Sequence, residues 1–156
     1  MAGGMQTNGT EQLISMLGRL GEDAPKIASK ALYAGAAVVA DAYSKAVDSI
    51  KTAPRRHDEN GKRLPTPEEK EALRATGIAK FRKDQDGVDT LVGAAEGYAM
   101  VKGKRKAIKL LARSINHGTH FMKEQPVFRR ASSQSRTQAQ NAMVEKADEL
   151  INQIAK

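Results

Sequence analysis

The run from Ala24 to Ile50, APKIASKALYAGAAVVADAYSKAVDSI, sets Ile27, Ala31, Ala34, Val38, Ala42 and Ala46 at three- and four-residue spacing. An α-helix gathers such positions on one side, so the run predicts a helix from Asp23 to Ile50, about 40 Å long, with Pro25 tolerated in its first turn. Its apolar face is mostly alanine. Small side chains let a second helix come close, but each contact removes little apolar area from water. Aromatic residues are only 4% of the chain and Trp is absent, so no large ring compensates. At 156 residues the chain is read as one domain that buries about 70 per cent of its unfolded surface. A core built this way gives modest stability to a lone copy and leaves subunit contacts to supply the rest.

The other segments follow from local signals. Residues 1–9 read as a disordered lead. Asn8 and Glu11 form a capping box for a short first helix carrying Leu13, Leu17 and Leu20, which Gly21 ends. Residues 51–75, rich in proline and mixed charge, read as an exposed, mobile loop insertion. Within it Thr66, Pro67 and Glu69 mark the start of one short helix. Ile78 to Lys83 and Val88 to Gly93 flank Asp86-Gly87 and predict an antiparallel hairpin. Tyr98 to Val101 predicts a further strand. Ile108, Leu111, Ala112 and Ile115 have helical spacing, although KLLARSI also suits a strand. Ser132 or Ser133 is placed to cap a last helix with Ala139, Met143, Ala147, Leu150 and Ile154 on one face. The expected fold is α+β: a long N-terminal helix and a C-terminal helix packed on a small antiparallel sheet, with a long loop insertion, in a single domain spanning 10–156.

Several chemistries find no support in the sequence. There is no cysteine, which removes disulfides, thiol nucleophiles and thiolate zinc sites. His117 and His120 in NHGTH lack a nearby acid and sit in positive surroundings, with His57 far off in sequence. A polar turn accounts for them better than a metal site. The serines cluster in SSQS, and neither a nucleophile elbow nor a phosphate-binding glycine loop occurs. The chain is therefore read as a non-enzyme with no cofactor. MAGGMQTNGTEQ lacks the basic start and apolar run of a signal peptide, and no stretch is apolar enough to span a bilayer, so the expectation is a protein of the cytoplasm without membrane contact.

The charge is informative. Formal net charge is +8, and KGKRKAIK places five basic residues, Lys102, Lys104, Arg105, Lys106 and Lys109, within eight positions. A second cluster holds Arg55, Arg56, Lys62 and Arg63. Either is a solvated face or a contact for acidic protein or DNA. For nucleic acid the run would track phosphates, but apart from the nearby Tyr98 no stacking aromatic interleaves it.

Taken in order, KALYAGAAVVADAYSKAV, Ala53-Pro54, Thr76-Gly77-Ile78, the hairpin, Tyr98-Ala99, His117-Gly118-Thr119 and Pro126-Val127-Phe128-Arg129-Arg130-Ala131 before a terminal helix resemble the gene-product-ten-like neck and tail-completion proteins of tailed bacteriophages, to which the minor tail protein Z type is related. The Gly-Thr pair followed by Pro-x-Phe-x-x-Ala is the most specific part. This chain differs from the pattern in the long stretch between Ala53-Pro54 and Thr76-Gly77, in the basic segment after Tyr98, and in Asn116-His117 where an acid usually stands. The resemblance implies a structural virion protein at the head-tail junction, assembled in the host cytoplasm. Its homo-oligomeric ring, typically sixfold, would join head connector or head-completion proteins to tail terminator or tail-tube proteins around the DNA exit channel. The alternative is a small basic nucleic-acid-binding protein.

Candidate interface residues follow from the residue chemistry. Gly118 permits a turn that other residues resist, Thr119 can bond its own backbone, and Pro126 sets the approach to the last helix. Phe121 and Phe128 are apolar anchors, with Met122 and Val127 beside them, unless they only pack that helix onto the sheet. Arg129 and Arg130, read as lying just before the helix, suit carboxylates of a neighbour. The basic run Lys102, Lys104, Arg105, Lys106 and Lys109 is the candidate contact for an acidic partner or for DNA in a ring lumen, and it and the long loop are expected to order on docking.

Overall fold

The computed structural model describes residues 8–54, 57–78, 80, 82–83 and 88–156. Residues 1–7 of the expected lead, Arg55 and Arg56, the Asp86-Gly87 turn, and the side chains of Asn8, Glu11 and Leu13 lie outside that description.

The first helix, α1 (Asn8–Asp48), runs 41 residues with Pro25 inside it. The expected stop at Gly21 and restart at Asp23 is thus corrected. A break would strand one set of carbonyls and one set of amides without helical partners, whereas an internal glycine costs about 1 kcal/mol relative to alanine. Leu17, Leu20 and Ile27 also stay in phase across Gly21, so a single helix keeps one apolar stripe.

The last helix, α4 (Val127–Ile154), begins well before Ser132 and Ser133, correcting the expected start. Its cap is not local. The side-chain oxygen of Asn116, thirteen positions upstream, accepts from the Arg129 amide at 3.2 Å. Arg129 and Arg130 therefore lie in the first turn of the helix rather than ahead of it. Ser135, deeper in α4, is buried.

Helices α1 and α4 pack antiparallel and form the main helical layer. Near one end Tyr43 meets the edge of Phe128, with ring centroids 5.5 Å apart. Farther along, Gly35 faces Ala139 and Met143. A Cβ added at Gly35 would stand 2.2 Å from Met143 Cε and 3.0 Å from the Ala139 carbonyl oxygen, so the helices approach closely here, and any side chain at Gly35 would require Met143 to move and the Ala139 backbone to give way. At a rise of 1.5 Å per residue, the 41 residues of α1 and the 28 of α4 differ in length by roughly 20 Å. Their ends meet where Ser49 and Val127 line one groove, so α1 overshoots α4 at the other end.

Three two-stranded antiparallel ladders are present among the described residues. β1 (Thr76–Ile78) pairs with β4 (Val92–Ala94), and β2 (Arg82–Lys83) with β3 (Val88–Asp89). The expected hairpin is there, but its register changes by one residue between the two ladders: Ile78 faces Val92 whereas Arg82 faces Asp89. β5 (Tyr98–Val101) pairs with β6 (Lys104–Ala107) through a two-residue turn in which Lys102 and Gly103 both have positive φ, 49° and 74°. That is the backbone of a tight hairpin. The basic run is thus half a β-hairpin, and KLLARSI is helical, within α3 (Ile108–His117).

The core gathers Val47 from the last turn of α1, Ile50 just after it, Leu73, Met122, and Ile108, Leu111 and Ile115 from α3. It sits at one end of the helical layer. The segment read as an exposed loop contributes to this end. Arg63, Pro65, Thr66, Glu69 and Leu73 are buried, and α2 (Pro67–Ala72) starts with the expected Thr66–Glu69 capping box. Backbone bonds from Arg63 N to Phe121 O and from Lys123 N to Arg63 O tie the segment to the turn before α4. Composition could not show this, because the burial comes from pairing with residues about sixty positions away.

Candidate functional site

The turn after α3 is built by Gly118 and Thr119. Gly118, at φ 70°, ends the helix, and a side chain there would meet Glu124 at 3.1 Å. Thr119 Oγ1 accepts from the amides of Phe121 and Met122 at 3.2 and 3.0 Å, and the Thr119 amide bonds the Met122 carbonyl. This closed turn points neighbouring side chains in different directions. Met122 enters the core, whereas Phe121 is left 64% exposed. Phe121 also lies edge-on to His120, at 5.0 Å between centroids.

The β5–β6 hairpin stands beside that turn. Pairing places Ala99, Val101, Lys104 and Lys106 on one face, and Tyr98, Met100, Arg105 and Ala107 on the other. Lys106 reaches inward to Glu69 on α2. Arg105 stacks over the Tyr98 ring at 4.0 Å, a cation–π contact that holds its guanidinium in place. Lys109 pairs with Glu96, while Lys102 and Lys104 stand exposed.

Beneath these residues is a buried ionic cluster. Glu69, 1% exposed, accepts two bonds from the Arg63 guanidinium (2.7 and 2.8 Å), one from the Thr66 amide and one from Lys106. Burial pushes its carboxyl up, but the bonds from Arg63, Lys106 and Thr66 outweigh that and hold it at about 2. A buried carboxylate with a displaced pKa is the usual mark of a catalytic group. Here the direction argues otherwise: a base needs a pKa near the working pH, and both oxygens of Glu69 are occupied. The cluster is a structural tie among α2, the Arg63 segment and β6.

Together these parts enclose an open groove of about 410 Å³. Leu110 and Phe121, each 64% exposed, form its apolar walls. Arg105 and Lys106 line it from the hairpin, Ser114 and Thr119 add hydroxyls, and the Arg63–Glu69 pair lies at its floor. Residues from two distant candidate sets, Thr119 and Phe121 with Arg105 and Lys106, thus meet. The other candidates lie elsewhere. Phe128 packs on the core and Tyr43, Arg129 approaches exposed Glu124 at 3.8 Å, and Arg130 lines a different groove, with Asp41 and Lys45 between α1 and α4. Pro126 precedes the first turn of α4. Leu110, Ser114 and Glu69 were missed as site residues, whereas Arg63 was read only as one of a second basic cluster and not as the partner of Glu69. Only the helical period of KLLARSI carried a signal for the first two, by putting Leu110 and Ser114 on the face opposite Ala112 and Ile115.

His117 contacts the Asn116 amide at 3.2 Å, and His57 Nδ1 lies 2.8 Å from the Gly61 carbonyl. Among the described residues no three His, Cys, Asp or Glu side chains are grouped to hold a metal ion, and no helix is long and apolar enough to cross a membrane. Comparison with protein-family models, curated proteins and solved structures returns no match.

Proposed function

We propose that this chain is a structural virion protein: a ring-forming neck or tail-completion subunit that joins the head connector to the tail around the DNA exit channel. The observation that carries the reading is the bare apolar surface of the helical layer. Leu17 on α1 is 55% exposed, and Val144 on α4 is 60% exposed. The α1 stripe that packs on α4 through Ala31 and Gly35 continues through Ile27, Leu20 and Leu17 past the end of its partner helix. Covering one such side chain contributes about 1.5–3 kcal/mol, so a repeated contact between copies is favourable, and a head-to-tail contact whose rotation closes builds a ring. The alanine-rich α1–α4 seam and the order of motifs ending in Pro126–Ala131 fit the same reading. In the ring, weak contacts at each end add through multivalency to join connector and tail.

Light scattering on eluted fractions, with and without purified connector rings, tests this. A discrete oligomer that binds connectors is expected, and Leu17→Glu with Val144→Glu should shift it toward monomer. A chain that stays monomeric at all concentrations and ignores both connector and tail refutes the proposal. The exposed Lys102, Lys104 and Arg105 favour nucleic-acid binding as the second reading. It requires duplex DNA affinity that falls steeply with salt, and it fails if DNA is not retained at low salt.

A further inference from the structure

We infer that the groove between Phe121 and Leu110 is a docking site for an acidic protein segment that inserts one apolar side chain. The inference goes beyond the assembly reading, since a ring can form through the helical layer whether or not this groove is filled. Charge sets the sign of the occupant. Arg63, Arg105 and Lys106 bring three positive charges to the groove against one negative, Glu69, and no other acid among the described residues lines it. Arg63 and Lys106 are engaged by Glu69, so their excess charge acts as a positive field at the floor while Arg105 is the cation placed to meet an incoming carboxylate, and Lys102 and Lys104 extend the positive surface around the hairpin.

The walls select among acidic partners. Phe121 and Leu110 expose most of their surface although the core lies directly behind them through Met122 and Leu111. A phosphate backbone makes no use of such walls, whereas a Leu or Phe side chain flanked by carboxylates satisfies walls and charge together. Stacking of bases is not favoured either, because Tyr98 already carries Arg105 over its ring. The site is also preorganised. The Thr119 turn fixes Phe121, the Tyr98 stack places Arg105, and the buried pair anchors the floor, so little order is lost on binding. The segment's apolar side chain would lie between Phe121 and Leu110, with a flanking carboxylate taking the guanidinium of Arg105 in the bidentate manner that arginine favours.

The test is an NMR titration of the isotope-labelled full chain with the peptide acetyl-Asp-Glu-Phe-Asp-Glu-amide. Saturable shifts at the amides of Arg105, Leu110, Ser114 and Phe121 are expected, with a Kd on the order of 1 mM or tighter. Replacing the peptide's Phe by Ser should weaken binding about tenfold, as should Phe121→Ser. Because Phe121 is exposed, that variant is expected to keep the native spectrum elsewhere, and Arg105→Gln supplies a second variant at a site outside the core. No saturable shift, equal binding of the Ser peptide, or shifts confined to Lys102 and Lys104 overturns the inference. So does a short DNA duplex that produces the same groove shifts with higher affinity, which would assign the surface to nucleic acid. Each outcome is read by binding to the labelled chain and is independent of whether the chain forms a ring.

Discussion

Replacing Glu69 by Gln keeps the size of the side chain but removes its charge, leaving Arg63 and Lys106 without a buried counter-ion. The carboxyl is lowered from 4.5 to about 2 in the folded chain. The difference, at about 1.4 kcal/mol per pKa unit, corresponds to roughly 3 kcal/mol of stability. Loss of one partner from a buried pair costs about 3–5 kcal/mol, which agrees in size. The sign follows from the depressed pKa. The contribution is complete above pH 4.5 and disappears as pH falls through about 2, where the folded carboxyl protonates. Urea unfolding followed by circular dichroism, from neutral pH down to about pH 2, measures it. Glu69→Gln should be about 3 kcal/mol less stable at neutral pH, and the gap should narrow through the acid range. Glu71→Gln, which affects only an exposed pair with Arg74, is the control and should leave the pH profile unchanged. A Glu69→Gln variant within about 1 kcal/mol of the natural chain, or a gap that does not change with pH, would refute the view that this cluster holds α2 to the basic hairpin.

Two other substitutions test the packing. Gly35→Ala gains about 1 kcal/mol of helix propensity but forces a methyl against Met143 and the Ala139 carbonyl. The overpacking term of about 1–3 kcal/mol is expected to win, lowering the melting temperature, and adding Met143→Ala should recover part of the loss because two of the three nearest atoms belong to Met143. Purely additive effects would count against the close crossing. Gln125 exchanges hydrogen bonds with both the amide and the carbonyl of Lys51, at 2.9 and 3.0 Å. Gln125→Ala should cost about 1–2 kcal/mol and speed hydrogen exchange at the Lys51 amide; unchanged exchange would show that the tie contributes nothing.

Where periodic and local signals agreed, the sequence alone determined the outcome. The α+β class, the alanine seam of α1, the α4 stripe through Ala139 and Met143, the Thr66–Glu69 capping box and the Gly118–Thr119 turn each depend on residues within a few positions of one another. Short-range geometry is enough to specify them. Tertiary structure decided the rest. The start of α4 is satisfied by Asn116 from another helix, the burial of Glu69 depends on Lys106 thirty-seven positions away, and the single span of α1 across Gly21 reflects the phase of its stripe rather than its local breaker. The groove itself unites Phe121, Leu110 and Arg105 from a turn, a helix and a strand. No spacing rule encodes such a meeting, because the free energy of a buried charge or an apolar wall depends on what the rest of the chain brings within a few ångströms.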